Sequence, residues 1–466
     1  MPSVNETPPI QAVVDSGVVP RLVSLLPRDD WVELQFEAAW AVSNVASGTQ
    51  QHTHLVIQLE AVPQFVRLLE SPSEEVREQA TWAIGNIAGD SADCRNYILS
   101  LGAMPLLIKA IGIPVSKVTI LRNAVWALSN LCRSKPPPPL DAVAPALPVL
   151  AGLLNHHDKE VMTDACWAIS YISDGPIERI QRVLQSNVID KVISMLTAPS
   201  VAMQTPALRT IGNVVTGNDV QTQVIIDHGA LAAFHFLLNH PRRAIKKEAC
   251  WCLSNITAGS VDQIQSVIGA DLYPVVKNLL DAPEYEVKKE AVWCIANTTS
   301  GGTKEQLRYL VDIGILDPLC RILTLYDLKI VTVALEAIEN FLQLGQDDMK
   351  ERCLSQNPYS AMLVTNGGYE LIEALQEHSS PELYNQSVSV IETYFDFEEQ
   401  QRGAAQQAAQ QQQGAEQQQA QQQQQGGYNF GGQQQQQQQQ GGGAWGNGNG
   451  NAGGGGYNFA GAFGGN

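Results

Sequence analysis

The stretch WAIGNIAGD, Trp82–Asp90, sets a tryptophan four residues ahead of an asparagine and closes on two small residues and an acid. The pattern returns along the chain. WAVSN begins at Trp40, WALSN at Trp126, WAISY at Trp167, RTIGN at Arg209, WCLSN at Trp251, WCIAN at Trp293 and EAIEN at Glu336. Successive starts lie 42, 44, 41, 42, 42, 42 and 43 residues apart, and six of the 8 tryptophans occupy this one position. So regular a period marks a repeat array, in which each unit buries its apolar faces only by stacking on its neighbours.

Each unit carries the same internal plan. In residues 91–133, DCRNYILSLG reads as a short helix stopped at Gly102, where a glycine C-cap is favoured. AMPLLIKAIG follows, with Pro105 tolerated in a first helical turn, and then the longer VTILRNAVWALSNLC. Three helices per unit of this length predict an all-α, armadillo-repeat right-handed α-solenoid of about nine three-helix units over residues 8–397. Residues 1–7 form a short extension. The ninth unit, with YNQSVSVIETYFDFEE, lacks the Trp-Asn pair and reads as a cap. Residues 398–466 are almost wholly Gln and Gly, with Glu416 the only charge after Arg402. Such a segment cannot bury a core and is expected to be disordered.

The composition narrows the functional classes. Of 466 residues 44% are hydrophobic and 16% charged; 29 Lys and Arg against 47 Asp and Glu give a net charge of -18. An acidic protein of this kind is unsuited to nucleic acid, whose phosphates need a basic surface, and suits a basic partner. The 8 cysteines include no CxxC pair, and Cys166, Cys250, Cys252 and Cys294 lie in apolar helical runs beside a tryptophan. They read as reduced thiols of a cytosolic or nuclear protein. No secretory signal opens the chain, and no run approaches the ~18 apolar residues of a membrane span, so no membrane partner is expected. The 8 histidines show no metal-ligand spacing: QHTH (51–54) and NHHDK (155–159) fall at unit junctions. The glycine run near the C-terminus follows no strand and is no phosphate loop. No enzyme activity, cofactor or metal is expected.

Residues i and i+4 share a helix face. Stacking units should therefore align Trp40, Trp82 and Trp126 as one ladder on a concave surface, with Asn44, Asn86 and Asn130 as a second beside it. Asparagine amides offer a donor and an acceptor to a passing peptide backbone, whatever its sequence. Tryptophan faces form slots for the stems of Lys or Arg, with a cation–π term of roughly 0.5–2 kcal/mol each. Acids beyond the slots would take the charged heads; the candidates are Asp90, Asp164, Asp174, Asp219, Glu248 and Glu290. Tyr171 replaces Asn in the fourth unit, Arg209 replaces Trp in the fifth and Glu336 replaces Trp in the eighth. Two Trp-rich stretches result, Trp40 to Trp167 and Trp251 to Trp293, and they suit two basic clusters joined by a spacer. Arg209 itself could pair with a neighbouring acid or a peptide carbonyl.

The segments EAAWAVSNVASGT (37–49), REQATWAIGNIAGDSADCRNYIL (77–99), RNAVWALSNLCRSKPPPP (122–139), DACWAISYISDG (164–175), LRTIGNVVTGNDVQTQ (208–223), KKEACWCLSNITAG (246–259) and KKEAVWCIANTTSGG (288–302) resemble the importin alpha family, over about residues 8 to 397. The resemblance implies an adaptor for nuclear import that binds extended Lys/Arg-rich localisation signals of cargo proteins. It implies a location in cytoplasm and nucleus, with passage through the nuclear pore. A major site would comprise Trp40, Asn44, Gly48, Thr53, Gln79, Trp82, Asn86, Asp90, Asn123, Trp126, Asn130 and Asp164, with Asp90 or a neighbour taking the key lysine. A minor site would comprise Trp167, Tyr171, Arg209, Asn213, Glu248, Trp251, Asn255, Glu290, Trp293 and Asn297. The last unit and its acidic FDFEE (395–399) resemble the region that contacts the export receptor. Family members begin with a basic segment that recruits importin beta. Here no Lys/Arg cluster precedes Arg21, so importin beta is not an expected partner of the chain as written. GYNFGG (427–432) and GYNFAGAFGG (456–465) contain Phe-Gly-like elements, read here as part of a low-complexity spacer. The rival reading is an armadillo scaffold with a basic groove for acidic partners. Its only recurrent cations near the ladder are Lys246, Lys247, Lys288 and Lys289.

Overall fold

The computed structural model describes residues 9–133 and 135–395. Every regular element among them is a helix. The predicted plan is clearest in unit two, with helices Gln50–Gln58, Ala61–Leu68 and Glu74–Asp90. Ser73 caps the long third helix by accepting from Val76 N–H, and Glu74 and Glu75 place negative charge at its N-terminus, where the helix dipole favours it. The first two helices of a unit meet at a residue in the left-handed region. Gly102 takes φ +76° there in unit three, but in unit two Glu60 holds φ 59°.

The long third helices are Val32–Ala46, Glu74–Asp90, Val118–Cys132, Lys159–Ser173, Val201–Val215, Arg243–Thr257, Tyr285–Gly301 and Leu328–Glu351, each packed against the next. Their inward residues are small or branched. Ala38, Ala39 and Val42, then Ala83, Ile84 and Ile87, are wholly buried or nearly so. Phe65, Phe234 and Phe341 fill the larger spaces, at about 1.5–3 kcal/mol each. The chain divides after Leu375 into two units of contact, Met1–Leu375 and Gln376–Asn466. In the second, Pro381–Tyr394 is the ninth long helix among the described residues, with Pro in its first turn and Leu383, Val390 and Tyr394 buried.

Polar ties run between units. Asn218, Ser260 and Thr303 each form a capping box with a glutamine three residues on, Gln221, Gln263 and Gln306. Each glutamine oxygen accepts from the N-cap N–H. Its amide then donates to a carbonyl of the preceding unit: Gln221 to Ile177 at 3.1 Å, Gln263 to Asp219 at 2.7 Å and Gln306 to Val261 at 3.0 Å. One side chain thus ends a helix and fixes the step to its neighbour.

Arg133, Pro136 and Pro138, between units three and four, are held by two buried arginines. Arg95 is wholly buried; its Nη1 donates to Arg133 O and its Nη2 to Pro136 O at 2.8 Å. Arg179 donates to Pro138 O and, at 3.3 Å, to Ile172 O. Burial depresses both guanidiniums, and for Arg95 the neighbouring Arg179 charge adds to this.

Candidate binding surface on the long helices

The expected strip forms. Trp40 is 50% exposed while Ala39 and Val42, on the inner face of the same helix, are fully buried. Trp82, Trp126, Trp167, Trp251 and Trp293 are half-buried at the equivalent position of the following helices. The tryptophans are not evenly spaced walls, however. The Trp82 and Trp126 rings touch, with centroids 5.0 Å apart and planes 32° apart. They act as one wall two rings thick, whose outer faces are the ones left for a ligand.

The reason lies three residues beyond the first residue of each motif, Trp82 in WAIGN and Arg209 in RTIGN. Trp126 lies over Gly85, and Trp251 over Gly212; a Cβ on either glycine would overlap the indole. Other units place Ser43, Ser129, Ser170 and Ser254 there. A small residue at i+3 lets the next unit's tryptophan lean back across the helix. Gly85→Ala should therefore displace Trp126 and cost about 1–3 kcal/mol, read as a lower urea midpoint with a changed tryptophan fluorescence. Unchanged values for both would show that the ring has room.

The asparagines are partly committed already. Asn130 donates to Gly85 O at 3.0 Å, Asn213 to Ser170 O at 2.9 Å and Asn297 to Ser254 O at 2.8 Å. Each accepting carbonyl lies one residue before the Asn, or Tyr171, of the preceding unit. One amide N–H is thus spent on the inter-unit tie. The side-chain oxygen remains for a ligand, with the rotamer fixed; Asn213 also donates to Ser173 Oγ at 3.1 Å, so only Asn130 and Asn297 keep the second N–H. Asn255 instead donates to Trp251 O within its own helix, at 2.8 Å. Asn86 Nδ2 is buried without a partner, an unmet donor worth about 1–3 kcal/mol.

Position i−3 supplies the polar edge: Gln79, Asn123, Asp164, Glu248 and Glu290. Gln79 accepts from Ser43 Oγ at 3.3 Å, and Asn123 donates to Glu78 at 3.1 Å. Asp164 and Glu290 are half-buried and have no hydrogen bond or ion pair among the described residues. Burial pushes each up to about 6, Glu160 adding to the effect at Asp164, while Lys289 and Lys247 oppose it at Glu290. Glu248 is also raised by burial, but Arg209 Nε lies 2.8 Å from its carboxylate and opposes the shift.

The chain's own cations occupy two tryptophan faces. Arg209 stands 5.7 Å from the Trp251 ring centroid, and Lys329 stands 5.5 Å from that of Trp293. The neighbouring acid expected for Arg209 is therefore Glu248. Tyr171 stacks on Trp167, with centroids 5.7 Å apart and planes 22° apart. It gives the fourth unit a second ring where the others have an amide.

The remaining expected residues fall at unit junctions. Gly48 is exposed just beyond the first long helix, and Thr53 is buried with its hydroxyl donating to Ala46 O at 3.2 Å. Asp90 ends the second long helix, and its carboxylate accepts from Cys94 Sγ at 3.7 Å. Asn44 is half-buried beside Trp40. Asp174 and Asp219 lie off the long helices: Asp174 is 3.8 Å from Lys135, and exposed Asp219 lends its carbonyl to Gln263. Lys246 and Lys247 turn to acids of the next unit, Glu284 at 3.2 Å and Glu286 at 3.7 Å. The spacing GNxxQ, GSxxQ and GTxxQ at the start of three first helices was a readable signal for the glutamine ties. Residues 1–8, FDFEE beyond Phe395 and the Gln/Gly tail lie outside the described residues.

The fold and this strip define an armadillo solenoid that presents two aromatic and amide stretches along its third helices, separated at Arg209. Known proteins agree. The Armadillo/beta-catenin-like repeat model matches residues 6–47, 49–89, 91–133 and 218–258; an atypical Arm repeat matches 357–411 and a HEAT-like repeat 118–172. Importin subunit alpha-B of Dictyostelium discoideum is 55% identical over 399 residues, covering 85% of this chain and 77% of that protein. Importin subunit alpha-3 of Arabidopsis thaliana is 48% identical, covering 85% and 76%. Importin subunit alpha-1b of Oryza sativa is 46% identical, covering 85% and 74%. Among solved structures, a crystal structure of an engineered protein superposes with a TM-score of 0.74 at 28% identity, covering 83% of this chain and 91% of that one. The chain belongs to the importin alpha family. No described helix is long and apolar enough to cross a membrane.

Proposed function

We propose that this chain is an adaptor for nuclear import that holds extended Lys/Arg-rich segments of cargo proteins along the Trp/Asn strip. The observation that carries the reading is the pair of half-buried carboxylates, Asp164 and Glu290, which make no ion pair among the described residues beside Trp167 and Trp293. A buried charge without a partner is costly, and a lysine or arginine head supplies the partner. Arg209 and Lys329 on Trp251 and Trp293 support the same chemistry, because they place cations on indole faces as a ligand would. The asparagine oxygens stand ready for peptide N–H groups. The major stretch runs from Trp40 to Asp164 and the minor from Trp167 to Asn297, with a basic cluster of the ligand at each. Cargo carriage places the protein in both cytoplasm and nucleus.

The test is a titration with a fluorescent KKKRK-type peptide and with the same peptide carrying alanine at its second lysine. Tight binding lost on that single change is the expected result. Weak binding that ignores the lysine and disappears in modest salt would reduce the reading to attraction by an acidic surface, and a scaffold for other partners would replace it. The pH dependence has a definite sign. In the empty strip Asp164 and Glu290 are raised to about 6, so both are ionised at pH 7 and neutral at pH 5. A bound cation favours the ionised form, hence affinity should fall as pH drops from 7 to 5, by at most about tenfold per unit per acid. Asp164→Asn should flatten part of that slope.

A further inference from the structure

We propose that His54, Asp90 and Cys94 form a binding site for a divalent transition metal of the zinc type, and that filling it withdraws Asp90 from a basic peptide. The second clause rests on the function proposed above; the first does not.

The three residues come from three helices. His54 lies in Gln50–Gln58, Asp90 is the last residue of Glu74–Asp90 and Cys94 is in the first turn of Ala92–Ser100. One ligand atom from each lies within 4.8 Å of the others. Cys94 Sγ is already 3.7 Å from the Asp90 carboxylate. Cys94 is 3% exposed, Asp90 half-buried and His54 exposed. The site therefore has a soft ligand at its base and an imidazole at its mouth, open to solvent. The His54 ring has no hydrogen-bond partner among the described residues, and no cation of the chain pairs with Asp90 there.

The donor set selects the metal. Thiolate, imidazole and carboxylate together suit zinc or cobalt, whereas magnesium and calcium take oxygen ligands. Bond lengths of about 2.0–2.3 Å to these ligands put tetrahedral ligand pairs about 3.3–3.8 Å apart. Closing the triangle needs side-chain rotations of about 1 Å, with a fourth position left for water. On binding, the Cys94 S–H bond breaks, its proton passes to solvent and a metal–sulfur bond forms, with no change of oxidation state. Metal-ligand spacing along the chain could not reveal the site, because its members lie on three helices and His54 is 36 residues from Asp90. Among the described cysteines only Cys353 is exposed; Cys132, Cys166, Cys250, Cys252, Cys294 and Cys320 are buried, so few thiols compete.

Two measurements on the full chain test this. Protein stripped with a chelator is titrated with cobalt(II). The expected result is a thiolate-to-cobalt charge-transfer band at one metal per chain, absent in Cys94→Ser and in His54→Gln and kept in Cys353→Ser. His54 is exposed, so its replacement leaves the core alone. No band in the wild type, or a band that survives Cys94→Ser, overturns the site. In the second measurement a Lys/Ala peptide without His or Cys is titrated with chelator and then with zinc. Zinc should weaken wild-type binding about tenfold or more, as loss of one partner of a part-buried charge pair does, and should leave Cys94→Ser unchanged. A cobalt band with no effect of zinc on the peptide overturns the coupling. A peptide that fails to bind even with chelator present overturns the proposed function and leaves the metal result standing.

Discussion

Trp82→Ala should weaken binding of a Lys-rich peptide by about 10- to 150-fold, roughly 1.5–3 kcal/mol. Two losses combine. The outer face of Trp82 no longer supports a cation and its stem, at roughly 0.5–2 kcal/mol for the cation–π part. Trp126 also loses the ring against which it rests 5.0 Å away, a contact worth about 0.5–1.5 kcal/mol. Trp82→Phe keeps a ring and should recover part of the affinity. Trp31→Ala is the control, because Trp31 is 53% exposed at the start of the first long helix and outside the strip. Fluorescence anisotropy with the peptide at two salt concentrations measures all three. Equal losses for Trp82→Ala and Trp31→Ala would remove the strip from the account.

Arg95→Ala should lower stability by about 2–4 kcal/mol. Arg133 O and Pro136 O lose their charged donor, and such part-buried bonds contribute about 1.5–3 kcal/mol each. The total is held down because the mutation also removes a buried charge facing Arg179, which lies close enough to depress it. The urea midpoint reads the change, and amide exchange at Arg133, whose N–H bonds Asn130 O at 3.3 Å, should quicken more than in distant units. Arg95→Met separates the causes, being of similar length but without donors. A midpoint equal to wild type for Arg95→Met would show that the carbonyl bonds contribute nothing. Stacked units exchange stability mainly with their neighbours, so the effect should centre on units three and four.

Much of the strip was legible from Trp82 and Asn86. The period of the motif gave the unit, and the i to i+4 spacing gave the face. The Asn four residues after Trp82 placed a polar group on the same face as the ring. The role of the amides was read less completely. Both the donor and the acceptor were expected to meet a peptide, yet Asn130, Asn213 and Asn297 each spend an N–H on the preceding helix. Nothing at Asn130 itself marks Gly85 O as its partner, because the two are 45 residues apart and meet only when units stack. Arg209 was read as a break in the ladder. In the structure it rests over Trp251 and against Glu248, so the break is filled by the chain's own cation.

What the sequence determined by itself is what repeats with the helix and the unit: three helices, their caps, the buried face and the outward face. Those follow from local periodicity, which every unit restates. What only the tertiary structure decided is how neighbouring helices and units meet: the contact of Trp82 with Trp126, the glutamine and asparagine ties, the half-burial of Asp164 and Glu290 without an ion pair among the described residues, and the meeting of His54 with Asp90 and Cys94. Each depends on distances between side chains on successive helices. Those distances are set by small residues such as Gly85 and Gly212, whose effect appears only when the next helix packs across them.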